Sequence, residues 1–157
     1  MLTAVVVAVC RNGFGNLISD HWLGLQALHV ITNSIFDYKL GVELRINSSR
    51  WFQEVYVYFK VGLESNFYPL TFSFTSSHST FRLGDSLSPA LGQPFSTYDA
   101  DYDGDVTDNC AVRHQTGWWF PSTCNMTQGN PLGRLPRPAS GLWSGLPQDA
   151  FWKNDLG

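Results

Sequence analysis

The 157-residue sequence contains no run of Lys or Arg, which excludes the electrostatic footprint of a nucleic-acid binder. Long apolar runs are also missing. The longest, residues 2–10, is about half of what a membrane-spanning helix requires. That run has no basic start and meets Arg11 without a small-residue cleavage pattern, so it reads as a buried strand and not as a secretory signal. Cysteine is scarce: Cys10, Cys110 and Cys124 allow one bridge and one leftover thiol. Cys110 and Cys124, with thirteen residues between them, form the natural pair, and closing that loop would contribute about 3 kcal/mol. No internal repeat is found.

What is present is enough for a core. Apolar residues make up 43% of the sequence and aromatics 15%, which excludes bulk disorder, and the length suits one domain. The 13 acids and 10 bases give a net charge of −3 that is unevenly placed. Asp99, Asp101, Asp103, Asp105 and Asp108 put five acids into ten residues, and the remainder is left with eight acids against ten bases. Two N-x-S/T triplets, at Asn47 and Asn125, are candidate glycosylation sites. With the cysteine pair they point to an oxidising, extracellular setting.

Apolar Trp22, Leu23, Leu25, Leu28 and Ile31 recur at helical spacing and predict a helix over 22–32. Three strand-like runs follow. Residues 38–46 alternate cleanly, 55–61 less so, and 68–74 are broken by Pro69, which places that end at a sheet edge. The reading is an α+β fold, an antiparallel sheet with one helix packed on it. After about residue 75 turn formers dominate, and so long an irregular stretch needs something other than a ladder to hold it, such as a bound ion and a disulfide.

The acidic segment supplies the chemistry. Asp99, Asp101, Asp103 and Asp105 alternate, so side chains and carbonyls of an irregular loop can converge on one hard cation with six to eight oxygen ligands. Uncompensated, such charges repel one another strongly, and Ca2+ resolves the conflict. An EF-hand is excluded, because its twelfth position falls on Cys110 where a bidentate Glu is needed. Zinc would need His or Cys ligands, and the nearby cysteines are committed to each other.

The blocks Gly13-Phe14-Gly15-Asn16, His21-Trp22-Leu23-Gly24-Leu25, Leu28-His29, Gly84-Asp85-Ser86-Leu87, Phe95-Ser96-Thr97-Tyr98-Asp99, Asn109-Cys110-Ala111 and Gly117-Trp118-Trp119 stand in the order of the fibrinogen C-terminal domain family, which the sequence resembles over about residues 13–124. Fibrinogen itself, ficolins, angiopoietins and tenascins belong to it. The resemblance implies a secreted recognition domain with a central antiparallel sheet and a loop-built, calcium-holding subdomain carrying the ligand pocket. By position it implies carboxylate ligands from Asp101 and Asp103, carbonyl ligands from Asp105 and Thr107, and a disulfide between Cys110 and Cys124. Trp118, Trp119, Phe120 and Asn125 are the pocket candidates, and an extracellular glycan or protein receptor is the implied partner.

Departures qualify that picture. Asn125 stands where relatives have His, the Trp119-to-Cys124 spacing is one residue longer, and Asn130-Pro131-Leu132-Gly133 replaces a pocket-lining segment. A glycan on Asn125 would sit on the pocket itself. Residues 1–12 do not match the family's N-terminal subdomain, leaving 13–157 as a partial domain, with 13–92 as sheet and helix and 93–140 as the calcium and pocket part. The missing family segments suggest a fragment or truncated isoform, with any oligomer formed through regions outside this sequence. Phe151-Trp152-Lys153 echo the start of a closing segment.

Two other functions compete. Gly84-Asp85-Ser86-Leu87 spells an esterase nucleophile motif, but His114 is the one histidine beyond it and no Asp stands three residues before that histidine, so an enzyme is not expected. A receptor-binding or matrix protein with a vestigial pocket is favoured by Asn125 and the altered spacing. Trp118 and Trp119 are expected as one core anchor and one pocket wall, His114 as an exposed loop residue, and Arg113, Arg134 and Arg137 as a solvated face. Cys10 is either a free thiol or an intermolecular link.

Overall fold

The computed structural model describes residues 6–16, 18, 20–47, 50–74, 83–124, 129–130 and 151–152, with 44–47, 50–51, 129–130 and 151–152 described through their backbone. Its first element corrects the expected strand: α1 (Val6–Asn12) is a helix. Three valines in seven residues favour a strand locally, but long-range contacts decide otherwise. The Asp99 carboxylate accepts the Val6 and Val7 amides at 2.6 and 3.2 Å and so caps the first turn, while Cys10 is buried on the inner face. Arg11 in the last turn makes a two-pronged pair with Glu64, at 2.8 and 3.1 Å.

A two-residue antiparallel ribbon follows, β1 (Phe14–Gly15) with β2 (His21–Trp22). Trp22 is therefore in a strand, its indole N–H donating to the Cys10 carbonyl at 2.7 Å, and α2 (Leu25–Thr32) starts three residues later than the spacing predicted. Gly24, at φ 98°, makes that turn possible: a Cβ there would lie 2.7 Å from the Asn12 carbonyl carbon. At its other end α2 is fastened to the sheet. Thr32 Oγ1 accepts the Val61 amide at 3.0 Å, and Asn33 Nδ2 and the His29 ring both donate to the Val61 carbonyl.

The main sheet has order β3-β4-β5, all antiparallel, with β3 (Leu40–Asn47), β4 (Arg50–Val61) and β5 (Leu70–Phe74). The imperfect alternation of 55–61 has a cause. Glu54 and Tyr56 are buried at even positions, whereas Phe59 and Val61 are buried at odd ones. Between them the β4–β5 register shifts, and Tyr58 takes φ 54°, so a bulge moves the inward face by one residue. β5 begins just after Pro69 and lies at one end of the sheet order, as the proline predicted.

Beyond residue 82 regular structure is sparse among the described residues: a 3-10 turn at Ser88–Ala90, α3 (Cys110–His114), and β6 (Gly129–Asn130) paired with β7 (Phe151–Trp152). Aromatics and a bridge hold this part. Ser96 and Trp118 exchange both backbone hydrogen bonds, and Phe95, Trp118, Trp119 and Phe120 join the core begun by Leu25, Val61 and Leu70. No helix of the described residues is long and apolar enough to cross a membrane. The architecture is α+β, as expected.

Candidate functional site

The five clustered aspartates divide into three tasks. Asp99 is structural: besides capping α1 it accepts the Thr97 hydroxyl at 2.6 Å. Asp108 pairs with Arg113 of α3, so that arginine is part of an ion pair and not merely a solvated face. Asp101, Asp103 and Asp105 remain as the turn between them.

Asp103 is the anchored member. Its Oδ1 accepts the Asp105 amide at 3.0 Å and its Oδ2 accepts the Cys110 amide, the first of α3, at 2.9 Å. Asp105 Oδ1 accepts both the hydroxyl and the amide of Thr107, at 2.8 and 3.0 Å, and these bonds hold its carboxyl below the usual carboxylate range. Asp101 is exposed, and its carboxyl is held above that range, first by lost hydration and then by the charges of Asp103 and Asp105. The turn carries no basic residue of its own to offset these charges.

The disulfide expected from spacing is present between Cys110 and Cys124, with Cα atoms 4.9 Å apart and both residues buried. Asp103 and the two sulfurs lie within 4.8 Å of one another, but sulfurs bonded to each other offer no thiolate. What the turn offers besides is oxygen, from its carboxylates and main chain, which is the chemistry of a hard cation such as Ca2+. Gly104 lets this turn approach the second cysteine's loop: a Cβ on it would lie 2.9 Å from that of Ser122.

Three of the four pocket candidates belong to the core. Trp118, Trp119 and Phe120 are all buried; Trp119 donates its indole N–H to the Tyr68 carbonyl at 2.7 Å and meets Phe95 edge-on at 4.8 Å. Asn125 lies outside the described residues, as do Arg134 and Arg137; Asn47 is the last residue of β3, opposite Arg50 at the hairpin end. His114 is not the exposed loop residue expected. It ends α3, its ring lies over Phe120, and Nε2–H donates to the Cys124 carbonyl at 2.7 Å, which ties α3 to the far side of the disulfide loop. Cys10 is a buried free thiol, which leaves no accessible sulfur for an intermolecular link among the described residues.

Sequence reasoning missed one pair altogether. Tyr102, between Asp101 and Asp103, stacks on Phe67 with ring centroids 3.7 Å apart and an interplanar angle of 15°. Phe67 and Tyr68 both adopt positive φ, 61° and 53°, a conformation that favours Gly or Asn and that no local signal foretells for two aromatics. The esterase-like string is absorbed by the fold: Ser86 is buried and its amide donates to the Tyr56 hydroxyl at 3.3 Å.

Comparison with known proteins agrees with this architecture. Residues 8–141 match the family model described as the fibrinogen beta and gamma chains, C-terminal globular domain. Fibrinogen C domain-containing protein 1-B of Xenopus laevis is 37% identical over 142 residues, covering 85% of this protein and 30% of the relative. Human ficolin-3 is 41% identical over 113 residues, covering 71% of this protein and 36% of the relative. The fibrinogen-like globe domain of human ANGPTL2 superposes with a TM-score of 0.72 at 29% identity, over 94% of this protein and 63% of that one. The sequence thus spans about a third of these full-length relatives. It belongs to the fibrinogen C-terminal globular domain family, a family of recognition proteins and not of enzymes.

Proposed function

We propose that this protein is a calcium-holding recognition domain that acts outside the cell on a glycan or protein ligand. The carboxylates of Asp101 and Asp103 and the carbonyls of Asp105 and Thr107 hold the ion. The observation that carries the reading is the Asp101–Asp103 pair, two carboxylates whose charges oppose each other in a turn with no basic residue of its own. Bound Ca2+ neutralises that repulsion and fixes the turn; its role is structural. Asp103 orients the turn on α3, and the Cys110–Cys124 bridge carries the turn's end to the loop before Asn125. The disulfide also supports an oxidising, secreted setting.

Trp118, Trp119 and Phe120 back the pocket, and Asn125, by its place in the sequence, is the further pocket residue. Thermal unfolding with and without a calcium chelator tests the metal part: a lowered midpoint on chelation is expected, and an unchanged one contradicts it. A second reading is a receptor-binding or matrix protein without lectin activity, and the burial of Trp118, Trp119 and Phe120 favours it by leaving those rings little surface for a sugar. An array of glycans and acetylated ligands separates the two. Calcium-sensitive binding supports the first reading, and silence on the array with binding to a protein receptor supports the second.

A further inference from the structure

Two partly exposed aromatic rings stack beside the acidic turn, and neither is needed to fill the core: Phe67 is 42% exposed and Tyr102 37%. The backbone that carries the Phe67 ring is left-handed where it closes the 3-10 turn Glu64–Asn66. Phe67 and Tyr68 are consecutive non-glycine residues in the left-handed region, a conformation that strains an L residue. Such strain persists only where surrounding contacts over-determine it. Here the Phe67 carbonyl accepts the Phe95 amide at 2.8 Å and the Tyr68 carbonyl accepts the Trp119 indole at 2.7 Å, so the turn that presents the Phe67 ring is fixed to the core behind it.

On the other side of the stack, Tyr102 lies between the two carboxylates. Its amide donates to Ser96 Oγ at 2.9 Å, and Ser96 in turn exchanges both backbone bonds with Trp118. Ring and amide together therefore immobilise Tyr102 from two directions. Tyr102 is joined through the backbone to both Asp101 and Asp103, so fixing it restricts where those two carboxylates can lie, while Asp103 is further held by the Asp105 and Cys110 amides.

We infer that Tyr102 and Phe67 are positioning residues for the cation: their stack is the strut that makes Asp101 and Asp103 converge. The inference rests on the calcium reading above, and its test separates the two. Calcium affinity is measured by competition with a chromophoric chelator for the full-length protein and for Tyr102→Ala, Tyr102→Phe, Phe67→Ala, Phe67→Leu, the Tyr102→Ala/Phe67→Ala double variant and Asp101→Ala. An aromatic pair contributes about 0.5–1.5 kcal/mol, so Tyr102→Ala and Phe67→Ala are each expected to weaken binding by at least about two-fold and by up to about twelve-fold. Phe67→Leu, the milder change, should fall between wild type and Phe67→Ala. Tyr102→Phe, which keeps the ring, should stay within about two-fold of wild type, and the double variant should be no worse than the weaker single one, as two halves of one contact require. Unfolding midpoints in chelator verify that the variants fold without the ion. Wild-type affinity in Tyr102→Ala together with lost binding in Asp101→Ala overturns the strut while leaving the ion site standing. Undiminished binding in Asp101→Ala sinks the calcium reading and the strut with it.

Discussion

Asp99 and Val6 lie 93 residues apart, and the carboxylate of the first accepts the amide of the second at 2.6 Å. The contact joins the first described helix to the start of the acidic turn, so one of the five clustered acids serves the fold and not the ion. Asp99→Ala removes acceptors for two helix amides and the Thr97 hydroxyl. A lost helix cap costs about 0.5–2 kcal/mol, which a urea denaturation midpoint detects. Asp99→Asn should recover part of the loss, because the amide oxygen still accepts. An unchanged midpoint in Asp99→Ala would show that α1 does not depend on this cap.

The same region sets an alkaline limit on stability. Burial first, and the charge of Asp99 second, push the Cys10 thiol up from 9.0 to about 12. A raised value means that the native state holds the proton more tightly than the unfolded polypeptide does. The contribution is therefore complete below about pH 9 and is lost as pH rises toward the native value. Tyr56, raised by burial and by Asp85, adds to the same slope. The urea midpoint should hold up to about pH 9 and fall from there to about pH 10.5, less steeply in Cys10→Ala. A thiol reagent should reach Cys10 at about pH 8 only after unfolding.

Removing the disulfide should loosen the site from its far end. The double variant Cys110→Ser/Cys124→Ser opens a sequence separation of 14 residues and should cost about 3 kcal/mol, read from denaturant unfolding. Since the Asp103 carboxylate accepts the Cys110 amide, the variant should also lose calcium affinity, which chelator competition measures.

Trp119→Phe keeps a ring in the core but removes the donor to the Tyr68 carbonyl. A buried acceptor left without its partner costs about 1–3 kcal/mol. The unfolding midpoint should fall accordingly, and a change of a few tenths of a kcal/mol would mean that water replaces the indole.

Much of this molecule was legible in its sequence because the relevant signals are local. The spacing of Cys110 and Cys124 and the place of Pro69 ahead of an edge strand each carry their meaning within a short stretch of sequence. The features that were missed depend on partners far along the sequence. The valines of α1 read as a strand because the cap that makes them helical is Asp99. His114 reads as loop because its partner is the Cys124 carbonyl, made near by the disulfide. The bulge at Tyr58 shows in the sequence only as untidy alternation, since two strands must pair before it has a register to shift. Phe67 and Tyr102 carry no motif, and their stack exists only once Phe95 and Trp119 fix the turn beneath Phe67.

The central claim is that Asp101 and Asp103 hold one Ca2+, and calorimetric titration of calcium into the full-length protein and into Asp101→Ala tests it most directly. One site per molecule in the wild type and no measurable binding in Asp101→Ala is the predicted result. No binding heat in the wild type, or equal binding in both proteins, would contradict it.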